Sequence, residues 1–308
     1  MTNILIAYMQ EEQKFVANRV FPRVPVLKQS DIIPQWSRAD FLRDEMQRRA
    51  PGSNYARVGM RNDNTLSYLA QMWGLEFPID DVQRANQDEP YDLDQAATMW
   101  LAQKMLIKRE VDWASKFFTT SIWTGSSSGS DLTGGTDFTK WDDAASTPID
   151  DVKTQSRAIE TNTGQYPNTL VVSRSVWDRL AEHPDIVDRT GHHTLQITTT
   201  EQVARLMGLE RVLVAAGVRN TAGEGLTAVG AYIEGKHALL CYSAPAPGLY
   251  VPSAGYTFEW SGATPAGQAA ISSYRDEPVR SDIMRIDAAW DQKVVAGILG
   301  AFFASAVN

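Results

Sequence analysis

Three short stretches carry residue types at spacings that could do chemistry. Gly125-Ser126-Ser127-Ser128-Gly129 matches the pattern in which a serine is raised as a nucleophile on a sharp strand-to-helix turn. Here a long helical run precedes it and Gly/Ser/Thr-rich sequence follows through Gly135, so that context is missing. Gly230-Ala-Tyr-Ile-Glu-Gly235-Lys236-His237 comes within one residue of a phosphate-binding loop. The last position of such a loop offers a hydroxyl to magnesium, which His237 cannot do, and Ala238-Leu239-Leu240-Cys241 continues as strand where a helix should begin. His192-His193 is the one histidine pair, but adjacent residues point to different sides of any regular element, and a shared metal needs further ligands. Cys241 stands alone, which excludes an internal disulfide and a Cys-based zinc cluster, and its apolar strand setting makes it inert. Asp80-Asp81, Asp142-Asp143 and Asp150-Asp151 fall at loops or helix starts, where capping suffices. The sequence predicts no catalytic residue, no cofactor and no metal site. A hydrolase using Ser127 or Lys236 is the competing reading.

The elements that would position such groups point elsewhere. The chain has 308 residues, 43% apolar and 21% charged, an ordinary globular composition with room for two modest domains or one elaborated one. Its 29 Lys+Arg against 37 Asp+Glu give a net charge of −8, which argues against a generally basic nucleic-acid clamp. The longest apolar stretch, Val294 to Val307, runs about 14 residues and contains Gly297 and Gly300, short of a membrane span. Ile4-Leu5-Ile6-Ala7 is too short for a secretory signal, so a cytosolic site of synthesis is expected.

Residues 1–35 read as an extended arm, because Pro22, Pro25 and Pro34 each remove a donor and fix φ. Such an arm is expected to lie across a neighbouring domain or subunit. Residues 36–85 read as a mixed-charge hairpin: Tyr55–Arg61, a turn at Asn62-Asp63-Asn64, then Leu66, Tyr68, Ala70 and Met72 on one parity. From Asp92 to Thr119 apolar residues recur at three- and four-residue steps (Leu93, Ala97, Trp100, Ile107, Val111, Ala114, Phe118). Asp92 is the N-cap with Gln95 three positions on, and the helix is about 40 Å long. Residues 125–135 are a flexible loop by composition. An α/β rhythm follows: a helix over Ile149–Asn162, a strand at Thr169–Val172, Ser173 capping a helix with Val176, Trp177 and Leu180, and a helix from Thr200 to Met207 closed by Gly208. A strand at Arg211–Ala215 and strands flanking Glu234-Gly235-Lys236 complete it. Near the C-terminus Met284, Ile286, Ala288 and Trp290 share one strand face, and Val294–Phe303 reads as a second, buried strand.

This order of parts resembles the major capsid proteins of tailed double-stranded DNA bacteriophages, with the Hong Kong 97 type of fold. The resemblance rests on Phe15–Val26 as an N-arm opening, Asp92–Thr119 with Lys108-Arg109-Glu110-Val111-Asp112-Trp113-Ala114 as a long spine helix, Asn168–Trp177 as an early strand–turn–helix, and the terminal pair of strands. It implies an α+β chain: an N-terminal arm (1–35), an E-loop hairpin (36–85), a peripheral P-domain with the spine helix (86–147), a mixed α/β axial A-domain (148–270) and C-terminal strands returning together to the P-domain (271–308). It further implies a homo-oligomer of hexamers and pentamers, an icosahedral head enclosing DNA without sequence-specific binding. Scaffolding, portal and decoration proteins would be separate partners, with no membrane. The shell would assemble in the host bacterial cytoplasm and end in the virion. An encapsulin-like nanocompartment shell is the nearest alternative.

Two departures from relatives carry expectations. Some relatives crosslink an E-loop lysine to a neighbour's asparagine, but residues 36–85 contain no lysine, so a non-covalent shell is expected. Some carry a long cleaved N-terminal scaffold segment, whereas here the arm begins within the first residues, so a separate scaffolding protein is expected.

Overall fold

A computed structural model describes residues 9–86, 92–190, 198–248, 251–263 and 269–308. From the N-terminus come α1 (Ala17–Val20), β1 (Arg23–Val26), β2 (Ser30–Ile32), β3 (Gln35–Trp36), α2 (Arg38–Leu42), β4 (Asn62–Asp63), β5 (Ser67–Leu69), β6 (Gln71–Asp80), α3 (Asp81–Ala85) and the spine helix α4 (Leu93–Phe117). The α/β portion adds β7 (Leu132–Thr133), α5 (Pro148–Thr163), β8 (Thr169–Ser173), α6 (Arg174–Glu182), α7 (Pro184–Thr190), α8 (Thr200–Met207), β9 (Arg211–Ala215), β10 (Val218–Asn220), β11 (Gly230–Tyr232) and β12 (Ala238–Cys241). The chain closes with β13 (Gly255–Trp260), β14 (Ala270–Asp276), β15 (Ser281–Val294) and β16 (Gly300–Ala304).

Two five-stranded sheets organise the molecule. In the first, β15 carries β6 along one edge, from Ser281↔Asp80 to Trp290↔Gln71, and β14 then β13 along the other. The spine helix packs on β15 and β6. The second runs β7-β16-β12-β8-β9, with β8 and β9 parallel and β12 antiparallel to both β8 and β16. Every residue of β8, β12 and β16 is buried, as expected of central strands covered on both faces. Helices α5, α6 and α8 pack against this sheet.

Local chemistry explains the helix ends. Asp92 accepts hydrogen bonds from the N–H groups of Asp94 and Gln95, and no Gly or Pro interrupts the 25 residues that follow, about 37 Å of helix. Thr199 and Gln202 form a reciprocal capping box on α8, and Gly208 ends it in the left-handed conformation. Ser173 occupies the N-cap of α6, but its hydroxyl is buried without a partner instead of making the expected cap bond.

Five expectations are corrected or narrowed. The spine helix buries Ala97, Leu101, Arg109, Glu110, Trp113 and Phe117, a face rotated from the predicted row, and Trp100 stays exposed. Two charged residues lie on the true inner face, so apolar spacing alone misplaced it. Secondly, of the two places expected for the arm, a neighbouring domain or a neighbouring subunit, its first part takes the former: Phe15, Val16, Ala17, Val20 and Phe21 are buried against other parts of their own chain, and β1 pairs parallel with β13. Burying each large apolar side chain contributes about 1.5–3 kcal/mol, enough to dock this part of the arm at home. Thirdly, the supposed turn at Asn62-Asp63-Asn64 is strand over its first two residues: β4 pairs with β3, and β5 pairs with β2. The hairpin therefore begins near Ser30 and turns through the excursion 37–61. Finally, the terminal strands part company: β15 lies in the first sheet, whereas β16 sits inside the second. The Gly/Ser stretch is also firmly tied, because Gly125 N–H donates to Gly300 O and Leu132–Thr133 pairs with β16.

Candidate assembly surface

The excursion 37–61 stands on a braced root. Leu69 N–H donates to one oxygen of Asp291 at 3.0 Å, and Lys116 Nζ of the spine helix reaches the other at 2.9 Å. Lys116 also pairs with Asp112, which accepts from Trp290 Nε1. Tyr68 stacks on Phe258 with ring centroids 4.6 Å apart, and Gln35 Nε2 donates to Val295 O.

Beyond the root no residue from 37 to 61 is buried. The excursion holds itself by polar contacts: Asp40 accepts from Arg61 N–H and pairs with the guanidinium groups of Arg61 and Arg43. The Arg61 hydrogen bonds hold the Asp40 carboxyl below its usual range. Arg49 lies over the Tyr55 ring at 4.2 Å and donates to its hydroxyl. Meanwhile Phe41, Leu42, Met46, Tyr55, Val58 and Met60 face water, Met46 at 94% exposure. A long excursion whose only regular element is the short helix α2, and which displays aromatics, Met and Arg, has the composition of an interface centre. A second apolar tip lies on the β10–β11 hairpin, where Leu226 and Val229 are exposed.

The residues singled out for chemistry are structurally engaged. Ser127 Oγ accepts from Gln155 Nε2, and Ser127 N–H donates to Gln155 Oε1, so this serine is tied to α5. Gly235 and Lys236 form a turn with Gly235 at φ 63°, and Lys236 O accepts from Ala306 N–H. His237 Nδ1 accepts from Ser305 N–H, and burial pushes its pKa down. Cys241 is buried, and burial pushes its thiol up to about 12. Asp80 caps α3 through Val82 N–H; Asp81 pairs with Arg275; Asp142 accepts from Asn308; Asp143 accepts from Ala145 N–H; Asp151 accepts from Trp141 Nε1. His192-His193 lies outside the described residues. Among the described residues no three of His, Cys, Asp and Glu converge to hold a metal ion.

Two buried polar pairs escaped the sequence reading. Ser146 Oγ lies 2.9 Å from His183 Nε2, the spacing of a nucleophile and its base. However, His183 Nδ1 accepts from Asp185 N–H, so the ring proton sits on Nε2, facing Ser146 and Asp143 O. That tautomer cannot take the serine proton. The second pair is Glu110 and Glu234, both buried, joined across 124 residues of sequence with no local signal.

Comparison with known proteins decides what this surface belongs to. A family model described as phage major capsid protein E matches residues 130–216. The major capsid protein of Burkholderia phage BcepMu is 26% identical over 287 residues, covering 92% of this chain and 90% of its own. A phage-related protein from Bordetella bronchiseptica has a solved structure with TM-score 0.72 at 18% identity, over 96% of this chain and 94% of its own. The mature capsid of bacteriophage PhiM1 gives 0.65 at 14% identity, over 99% and 90%. An encapsulin from Synechococcus elongatus gives 0.55 at 9% identity, over 99% and 92%. That last likeness is one of fold, whereas the matches made on sequence alone lead to phage capsid proteins. With its spine helix and two sheets the chain has the Hong Kong 97-type fold, and over nearly its whole length its sequence is similar to a phage major capsid protein, which makes it a structural component of a phage head.

Proposed function

We propose that the excursion 37–61, on its stalks at 30–36 and 62–69, is the E-loop, and that it completes its packing only on an adjacent copy of the chain within hexamers and pentamers. The observation that carries this is the row Phe41, Leu42, Met46, Tyr55, Val58 and Met60, exposed on a segment with no buried residue. Burial of each side chain on a neighbour would contribute about 1.5–3 kcal/mol, and a symmetric shell repeats the gain at every contact. In this reading the first sheet with the spine helix is the P-domain and the α/β sheet the A-domain. A separate scaffolding protein, a portal and decoration proteins are partners, and the enclosed DNA is held without sequence readout. The mixed charge of the loop suits oriented pairing between subunits.

The test is a triple variant, Met46→Asp, Tyr55→Ser and Val58→Asp. The subunit keeps its circular dichroism and melting transition, while shells disappear from negative-stain electron micrographs of the protein co-expressed with its neighbouring phage genes. Shells of normal size from the variant would refute the assignment.

A further inference from the structure

Glu110 on the spine helix is fully buried and accepts hydrogen bonds from Val16 N–H at 2.9 Å and Ala17 N–H at 2.8 Å. Glu234, in the turn between β11 and β12, is 2% exposed. No N–H or hydroxyl of another residue reaches its oxygens among the described residues; besides its own backbone N–H, what faces it is the Glu110 carboxyl. Two carboxylates held together away from water cannot both carry charge, so one proton must lie between them. Glu110 is the better anion, since it has two backbone donors and the nearby Arg109. Glu234 therefore holds the proton and donates it to Glu110.

The same carboxyl fastens the arm. Around it the arm is stitched to the corner after β9: Gln10 exchanges two hydrogen bonds with Val218, Lys14 O accepts from Ala216 N–H, and the Phe15 ring lies against Gly217. We propose that the Glu110–Glu234 proton is a latch for the N-terminal arm, and that its loss to hydroxide in alkaline solution frees residues 10–21 from the body. Without it two negative charges share a dry site. Arg109, the cation acting on Glu110, is already engaged by Glu259. Relief comes from admitting water, and the segment covering the pair is Phe15–Ala17. Burial, then the Glu110 charge, pushes Glu234 up to about 10, which sets the range of release. This inference concerns the single subunit and stands apart from the loop assignment above.

The test compares the full-length wild type with Glu234→Gln, whose amide donates the same hydrogen bond but cannot ionise. Trypsin cleavage after Lys14 and Arg19 is followed at pH 8 and at pH 10.5, both proteins being digested side by side. The wild type is cut at least tenfold faster relative to the variant at the higher pH, and equal rates at both pH values would overturn the proposal. Infrared spectroscopy on the wild type gives a second reading that needs no variant. The carbonyl stretch of a protonated carboxyl group is present at pH 8 and vanishes above pH 10; its absence at pH 8 would overturn the latch.

Discussion

Lys116 of the spine helix lies 2.9 Å from Asp291 of β15, and the second oxygen of that carboxylate takes the N–H of Leu69. One mostly buried side chain thus ties the helix, the first sheet and the root of the exposed excursion. Removing it leaves Leu69 N–H and Lys116 short of a partner, although Lys116 retains Asp112. Asp291→Ala is expected to cost about 1–3 kcal/mol, read as a lower urea midpoint with an unchanged slope. A midpoint equal to wild type would show that the brace contributes nothing.

Glycines should divide sharply by surroundings. A Cβ on Gly125 would lie 2.3 Å from Ile298 O and 2.6 Å from Gly300 O, both backbone, whereas nothing approaches Gly59 within 4 Å. Gly125→Ala is expected to cost about 3 kcal/mol or more. Gly59→Ala should stay within about 0.5 kcal/mol of wild type. Thermal melts of the two variants side by side provide the check.

Ser127→Ala and Lys236→Ala test the hydrolase reading directly. Ser127 loses only its bond to Gln155, an expected cost of about 0.5–1.5 kcal/mol, and both variants should still assemble. Hydrolytic activity in the wild type that either substitution removes would contradict the structural role.

Residues 36–85 supply no lysine for an isopeptide bond, so mature shells should dissociate completely in boiling detergent. Electrophoresis should then show one band at 34.1 kDa. A ladder of higher bands would reveal a crosslink from another segment.

Stability should fall as pH rises above 6.5, whereas below that value two buried groups act in opposite directions. The Glu234 carboxyl has its folded pKa raised from 4.5 to about 10, so the folded state binds the extra proton between those values. Its contribution is complete below pH 4.5 and is lost as pH rises toward 10. His237 acts oppositely: burial lowers its pKa from 6.5, so its contribution is complete above that value and is lost as pH falls through the folded pKa. Melting temperatures should slope downward into alkali, and Glu234→Gln should flatten that limb and leave the His237 loss below pH 6.5 without its offset.

Local signals were read well where one side chain closes an element. Asp92 opens the spine helix and Gly208 ends α8, which was placed to the residue, although the Thr199–Gln202 box that opens α8 went unread. The helix face was misread because Arg109 and Glu110 point inward, their charges satisfied by Glu259 and by the arm. Asn62-Asp63 looked like a turn because its strand partners, Gln35-Trp36, precede it across the whole excursion. The separation of β15 from β16 and the Glu110–Glu234 encounter are long-range pairings, which no window of neighbouring residues encodes. The excursion's mix of arginines and aromatics was legible in its composition, but its firm root depends on Asp291, far along the chain.

Because β16 lies between β7 and β12, the ribosome must deliver residue 304 before the second sheet can close. The excursion 37–61 emerges much earlier, with its apolar side chains bare. Translation therefore imposes an interval in which an adhesive segment is available while its body is still incomplete, the circumstance in which nascent chains most need a chaperone.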